Sequence, residues 1–197
     1  MLRGIAKAMH LSMREHKEIP HPEVPAQRAS KGAQPARVWG PLSTLGMALA
    51  ALTFGLDQAV KYWLLNIVDM PARKSITLTP FFDLKMAWNE GVSYGLFTTH
   101  MQGALIALSL LISGLLVGWL SRAKSPLVAA ALGLILGGAL SNALDRVIHG
   151  AVADFFYFHF EGLNFALFNF VFNPADIAIV AGVGLLLYDS VVERRLS

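Results

Sequence analysis

Charge is distributed unevenly along this chain, and its gaps mark out the elements. Val38 to Leu56 is nineteen residues without a charge. Met101–Leu120 and Ser125–Leu144 are uncharged too, as is Ile177–Tyr188 near the end. About 20 apolar residues cross the hydrocarbon core of a bilayer. The pattern therefore predicts four spanning helices, at about 42–65, 101–120, 125–146 and 174–192. Between the first two, KSITLTPFFDLKMAW alternates in places: Ile76 and Leu78, then Leu84, Met86 and Trp88. That period predicts two short strands around a turn at Pro80. The expected fold is an all-α membrane protein, a four-helix bundle carrying a small β-rich cradle.

Composition agrees. The chain is 55% hydrophobic and 15% charged, with mean hydropathy +0.53, whereas soluble domains carry about 25% charged residues. It has no cysteine, which excludes a thiol nucleophile, disulfides and thiolate metal sites in this chain. No basic patch interleaved with stacking aromatics argues for nucleic acid.

Residues 1–40 stand apart from the membrane domain at 41–197. They hold seven Lys or Arg, three Glu, three His and four Pro, and read as a basic, disordered cytoplasmic tail. Basic residues recur in the 121–126 link and at the C-terminal ERR. By the positive-inside rule both termini face the cytoplasm. Asp57, Asn142, Asp145 and Arg146 then fall near the outer ends of their helices, and Asn173 and Asp176 at the outer start of the last. Asn89, Gly91 and Asp154 fall in outer loops.

Asp57 and Lys61 are spaced for a helical ion pair, as Asn142 and Arg146 are for a shared helix face. Twelve residues separate Asp176 from Asp189, about 18 Å of helix, less than the ~30 Å hydrocarbon core. One acid is thus held in a medium that raises a carboxyl pKa. Two such carboxyls side by side cannot both ionise freely. One keeps its proton while the other can take one from water. Asp154 and Asp176 are the candidates. The residues alone leave hydrolysis open beside a small proton- or cation-coupled transporter, or plain helix-end anchoring. His149 and His159 have no third ligand at metal spacing, so neither metal nor cofactor is expected. The aromatic run between the two aspartates reads as a loop at headgroup level or an apolar wall for an acylated substrate.

DQAVK, NEGVSYG, GGALSNALDRVIHGAVADF and FNPAD, in that order, resemble the bacterial lipoprotein signal peptidases (type II signal peptidases), over about residues 42–192. The resemblance implies an aspartic endopeptidase of the bacterial inner membrane, acting at its outer face. Asp154 and Asp176 would be the catalytic pair, and Asn142, Arg146 and Asn173 would line the site. Asp57, Lys61, Asn89, Gly91 and Asp145 would support it. Expected partners are diacylglyceryl prolipoproteins, cut on the N-terminal side of the lipidated cysteine, membrane lipids, and the inhibitor globomycin. A monomer suffices. Ser141, where glycine is common, Pro174, and a slightly long segment between the aspartates depart from the pattern.

Overall fold

The computed structural model describes residues 39–91, 100–159 and 170–196; the expectation of a disordered tail lies outside them. The elements are α1 (Ser43–Tyr62), a π-helical turn (Trp63–Ile67), α2 (Met70–Arg73), β1 (Ser75–Thr79), β2 (Phe82–Asn89) and α3 (His100–Leu120). There follow α4 (Pro126–His149), β3 (Val152–Phe158), β4 (Val171–Phe172) and α5 (Pro174–Leu196).

α4 is the central helix, packed by α1, α3 and α5. Its ends are set by sequence. The Ser125 hydroxyl accepts the N–H groups of Leu127 and Val128, and Pro126 takes the first helical position. Gly150, at φ +72°, closes the other end in the left-handed region. Close approach of the neighbours depends on missing side chains. A Cβ at Gly137 would collide with the Ala50 carbonyl of α1, and one at Gly138 would lie 2.6 Å from the Ala175 carbonyl of α5.

The bundle exposes apolar residues and buries a polar seam beside an apolar cluster of Leu120, Ala123, Ala129 and Leu132. The buried residues of α1 are Ser43, Gly46, Ala50, Asp57 and Lys61, spaced as one helical face. Leu45, Leu52 and Leu56 on the same helix are exposed. An apolar exterior around a polar seam suits a lipid surround, where small residues let helices meet and polar groups join them. Among the described residues three helices are long and apolar enough to cross a membrane, Gln102–Leu120, Pro126–His149 and Pro174–Val192. α1, which carries Asp57 and Lys61, is not among them.

The expected strands around Pro80 are β1 and β2. The sheet is larger than expected: among the described residues it has four antiparallel strands in the order β1-β2-β3-β4. Asp154 accordingly sits on strand β3, not in a loop, and Asn89 ends β2. Lys85 and Met86 together oppose Phe155, a bulge that re-phases β2 before Asn89. Alternation along β3 sends Ala153 and Phe155 into a core with Leu64, Met70 and Leu84, which seats the sheet on the end of α1. It sends Asp154 the other way.

Candidate active site

Five elements, α1, β2, α4, β3 and α5, deliver polar groups to the sheet end of the bundle. α5 begins with a reciprocal cap. The Asn173 side-chain oxygen accepts the Asp176 N–H at 3.0 Å, and Asp176 Oδ2 accepts the Asn173 N–H at 3.2 Å. This is the capping-box pattern with Asp at its third helical position, and Pro174 at the first position fits it. The cap fixes the Asp176 carboxyl in space before any tertiary contact is counted.

The amide of Asn173 then reaches across to β3, donating to Asp154 Oδ1 at 2.6 Å and to Asn142 Oδ1 at 3.2 Å. Asn142, on α4, donates to Asp176 Oδ1 at 2.9 Å. Asn89 donates to Asp154 Oδ2 at 3.0 Å. Asn89 lies opposite Val152, so it is a diagonal, same-face neighbour of Asp154. All four oxygens of the two carboxyls therefore accept an N–H, and one asparagine pair links the two groups. Asp154 is 1% exposed. Burial pushes its carboxyl up to about 6 from the ordinary 3.8, and the nearby Asp176 charge pushes the same way. The Asn173 and Asn89 amides and the Lys61 ammonium pull it back.

Behind this pair lies a buried ionic cluster. Lys61 Nζ is 2.7 Å from both Asp57 Oδ2 and Asp145 Oδ2, and it donates to Asn142 Oδ1 at 2.9 Å. The expected Asp57–Lys61 pair exists, and Asp145 completes it. Asp145 and Arg146, adjacent in sequence, diverge. Asp145 faces Lys61, while Arg146 donates to the Asn142 carbonyl at 3.3 Å and lies within electrostatic reach of Asp154 and Asp176. The Arg146 Nε is buried with no partner among the described residues. Gly91, at φ +99°, sits beside it: a Cβ there would lie 3.6 Å from Arg146 Nη2. The Gly91 N–H donates to Asn89 Oδ1 at 2.9 Å, which orients that amide toward Asp154.

Every residue expected at the site is thus brought to one region. Sequence reasoning did not find Gln58, which donates to Asp145 Oδ1 at 2.8 Å and to Ser141 Oγ at 2.9 Å. Ser141 stood out only as a departure from the pattern; its hydroxyl donates to Asp57 Oδ2 at 2.6 Å. Position beside Asp57 was the one signal that could have flagged Gln58. A cleft of about 370 Å³, lined by Ala87, Trp88, Asn89, Gly91, Asp154 and Val171, opens on the Asp154 side. Among the described residues no group of three or more His, Cys, Asp or Glu is placed to hold a metal ion.

Fold and site together define a membrane protein with a buried carboxylate centre at one end of its helices. Residues 49–192 match the signal peptidase (SPase) II family, and the chain belongs to that family, one of peptidases. It is 47% identical over 154 residues to a lipoprotein signal peptidase of Methylocella silvestris, covering 77% of this chain and 88% of that one. It is 49% identical over 149 residues to one of Beijerinckia indica, covering 74% and 87%. A bacterial membrane enzyme solved in meso at 1.9 Å shares the fold, with TM-score 0.63, 25% identity, and 74% and 92% coverage.

Proposed function

We propose that the chain is an aspartic endopeptidase that removes the signal peptide from diacylglyceryl-modified prolipoproteins, on the N-terminal side of the lipidated cysteine. α1 is then the fourth span, both termini are cytoplasmic, and the site lies at the outer face of the bacterial inner membrane. The observation that carries this reading is the pairing of Asp154 and Asp176 through Asn173 and Asn142, beside an open cleft. The family names of the relatives point the same way.

The chemistry follows from one shared proton. The ionised carboxyl takes a proton from a water, whose oxygen attacks the scissile carbonyl carbon. The protonated carboxyl hydrogen-bonds the carbonyl oxygen as charge develops there. Collapse of the tetrahedral intermediate breaks the C–N bond, and a proton from the pair goes to the leaving amine. The pair titrates as a unit, so the roles belong to the dyad. Arg146, whose buried Nε has no partner among the described residues and which lies within electrostatic reach of both aspartates, is suited to stabilise negative charge developing beside the pair. The transporter reading has less support. A relay needs ionisable groups through the membrane depth, and the helix middles carry none.

The test is cleavage of a diacylglyceryl-modified peptide by purified protein in detergent, read by product mass. The reading expects a cut immediately before the lipidated cysteine, no cut in the unlipidated peptide, and inhibition by globomycin. Equal cleavage of both peptides would overturn the substrate assignment.

A further inference from the structure

The ionic cluster touches the two aspartates by a route that no side-chain contact reveals. Asp57 Oδ1 accepts the backbone N–H of Ala175 at 2.8 Å, and Ala175 precedes Asp176. Asp145 Oδ2 accepts the backbone N–H of Ala153 at 3.1 Å, and Ala153 precedes Asp154. Each supporting carboxylate thus holds the residue before one member of the pair. Lys61 joins the two carboxylates, and its third N–H goes to Asn142, the amide that faces Asp176. All three ammonium N–H groups are used. Ser141 and Gln58 hold Asp57 and Asp145 from behind.

A buried ion pair is weak support for stability, because desolvation offsets the attraction; its best-attested role is to fix register. Here the elements in question are β3 and α5, distant in sequence and each carrying one aspartate. Lys61 and Asp57 come from α1 and Asp145 from α4, two helices that carry neither Asp154 nor Asp176. The charged groups around the cluster are Asp154 on β3, Asp176 on α5 and Arg146 on α4.

We propose that Lys61 is a positioning residue: with Asp57 and Asp145 it forms a clamp on the Ala153 and Ala175 backbone that sets the spacing of Asp154 and Asp176. The proposal rests on the endopeptidase reading. Lys61 is 2% exposed and its ammonium is spent on the cluster, so it acts through the aspartates and not on substrate. A displacement of about 1 Å at reacting groups costs on the order of 10²-fold in rate.

Lys61→Met keeps length and volume while removing the ammonium. In the lipidated-peptide assay it is expected to lower kcat about 100-fold with KM, and the affinity for an uncleavable lipidated peptide, within about twofold. Should Lys61→Met fail to accumulate folded, Lys61→Met/Asp145→Asn keeps the net charge of the cluster and an oxygen for the Ala153 N–H; kcat should then fall at least tenfold, with peptide affinity retained. Wild-type kcat in the variant obtained would overturn the clamp, as would an equal loss of kcat and peptide affinity, which marks general loosening. Wild-type protein and Asp154→Asn run alongside. Failure of the wild type to cleave would sink the endopeptidase reading, whereas an active wild type with an unaffected Lys61 variant would sink only the clamp.

Discussion

Asn173→Ala is the substitution that separates the site's chemistry from its scaffold. It removes a 2.6 Å donor to Asp154, a 3.2 Å donor to Asn142 and the oxygen that caps the Asp176 N–H. Loss of an N-cap costs about 1 kcal/mol of stability. A hydrogen bond to a charged group contributes about 1.5–3 kcal/mol. If the Asp154 bond is realised in the transition state, its loss lowers kcat/KM roughly 10- to 150-fold. The direction of the pH effect also follows. The Asn173 amide holds the Asp154 carboxyl down, so without it that carboxyl rises further above about 6, and the acidic limb of the rate profile moves to higher pH. Asn173→Ser is the control, since it keeps a capping oxygen and loses the amide. It should recover the stability of α5 and not the rate. The assay is lipidated-peptide cleavage across pH 4–9, beside thermal unfolding in the same detergent. A variant with normal kcat/KM and an unmoved limb would refute the account of Asn173.

The other predictions concern stability and packing. Burial pushes the Asp154 carboxyl up to about 6 from an ordinary 3.8, so holding it in the fold is harmless below pH 3.8, grows costly between those values and reaches roughly 3 kcal/mol above them. Asp154→Asn should therefore gain stability relative to wild type as pH rises from 4 to 8 in denaturant titrations; a constant difference would contradict the raised value. Gly138→Ala places a methyl 2.6 Å from the Ala175 carbonyl, which should cost about 1–3 kcal/mol and depress activity through the start of α5; unfolding and cleavage assays check both. Phe155→Ala empties the core that seats the sheet on α1; a loss of about 3–5 kcal/mol is expected in denaturant titrations.

The helices were legible because lipid-facing segments exclude charge, and that exclusion is written in single residues. β1 and β2 were legible from alternation around Pro80. β3 was not. Val152–Phe158 is apolar or aromatic on both faces apart from Asp154, so it has no period, and its partner β2 lies some sixty residues earlier, as Asn89 and Asp154 do. At the site, pairs within one helix could be read from spacing, as Asp57 and Lys61 were. Asp145 taking up the same ammonium could not, because that contact spans 84 positions and depends on how α1 and α4 are rotated against each other. Asp145 and Arg146 are adjacent in sequence, and one helical step of about 100° sends them in different directions.

The central claim is that Asp154 and Asp176 are the reacting groups. It is tested most directly by single-turnover cleavage of the lipidated peptide with Asp154→Asn and Asp176→Asn, each purified from the membrane fraction and shown to retain globomycin or peptide binding. Both should bind and neither should release product at a rate above the uncatalysed background. Product formation by either variant at the wild-type rate would contradict the account.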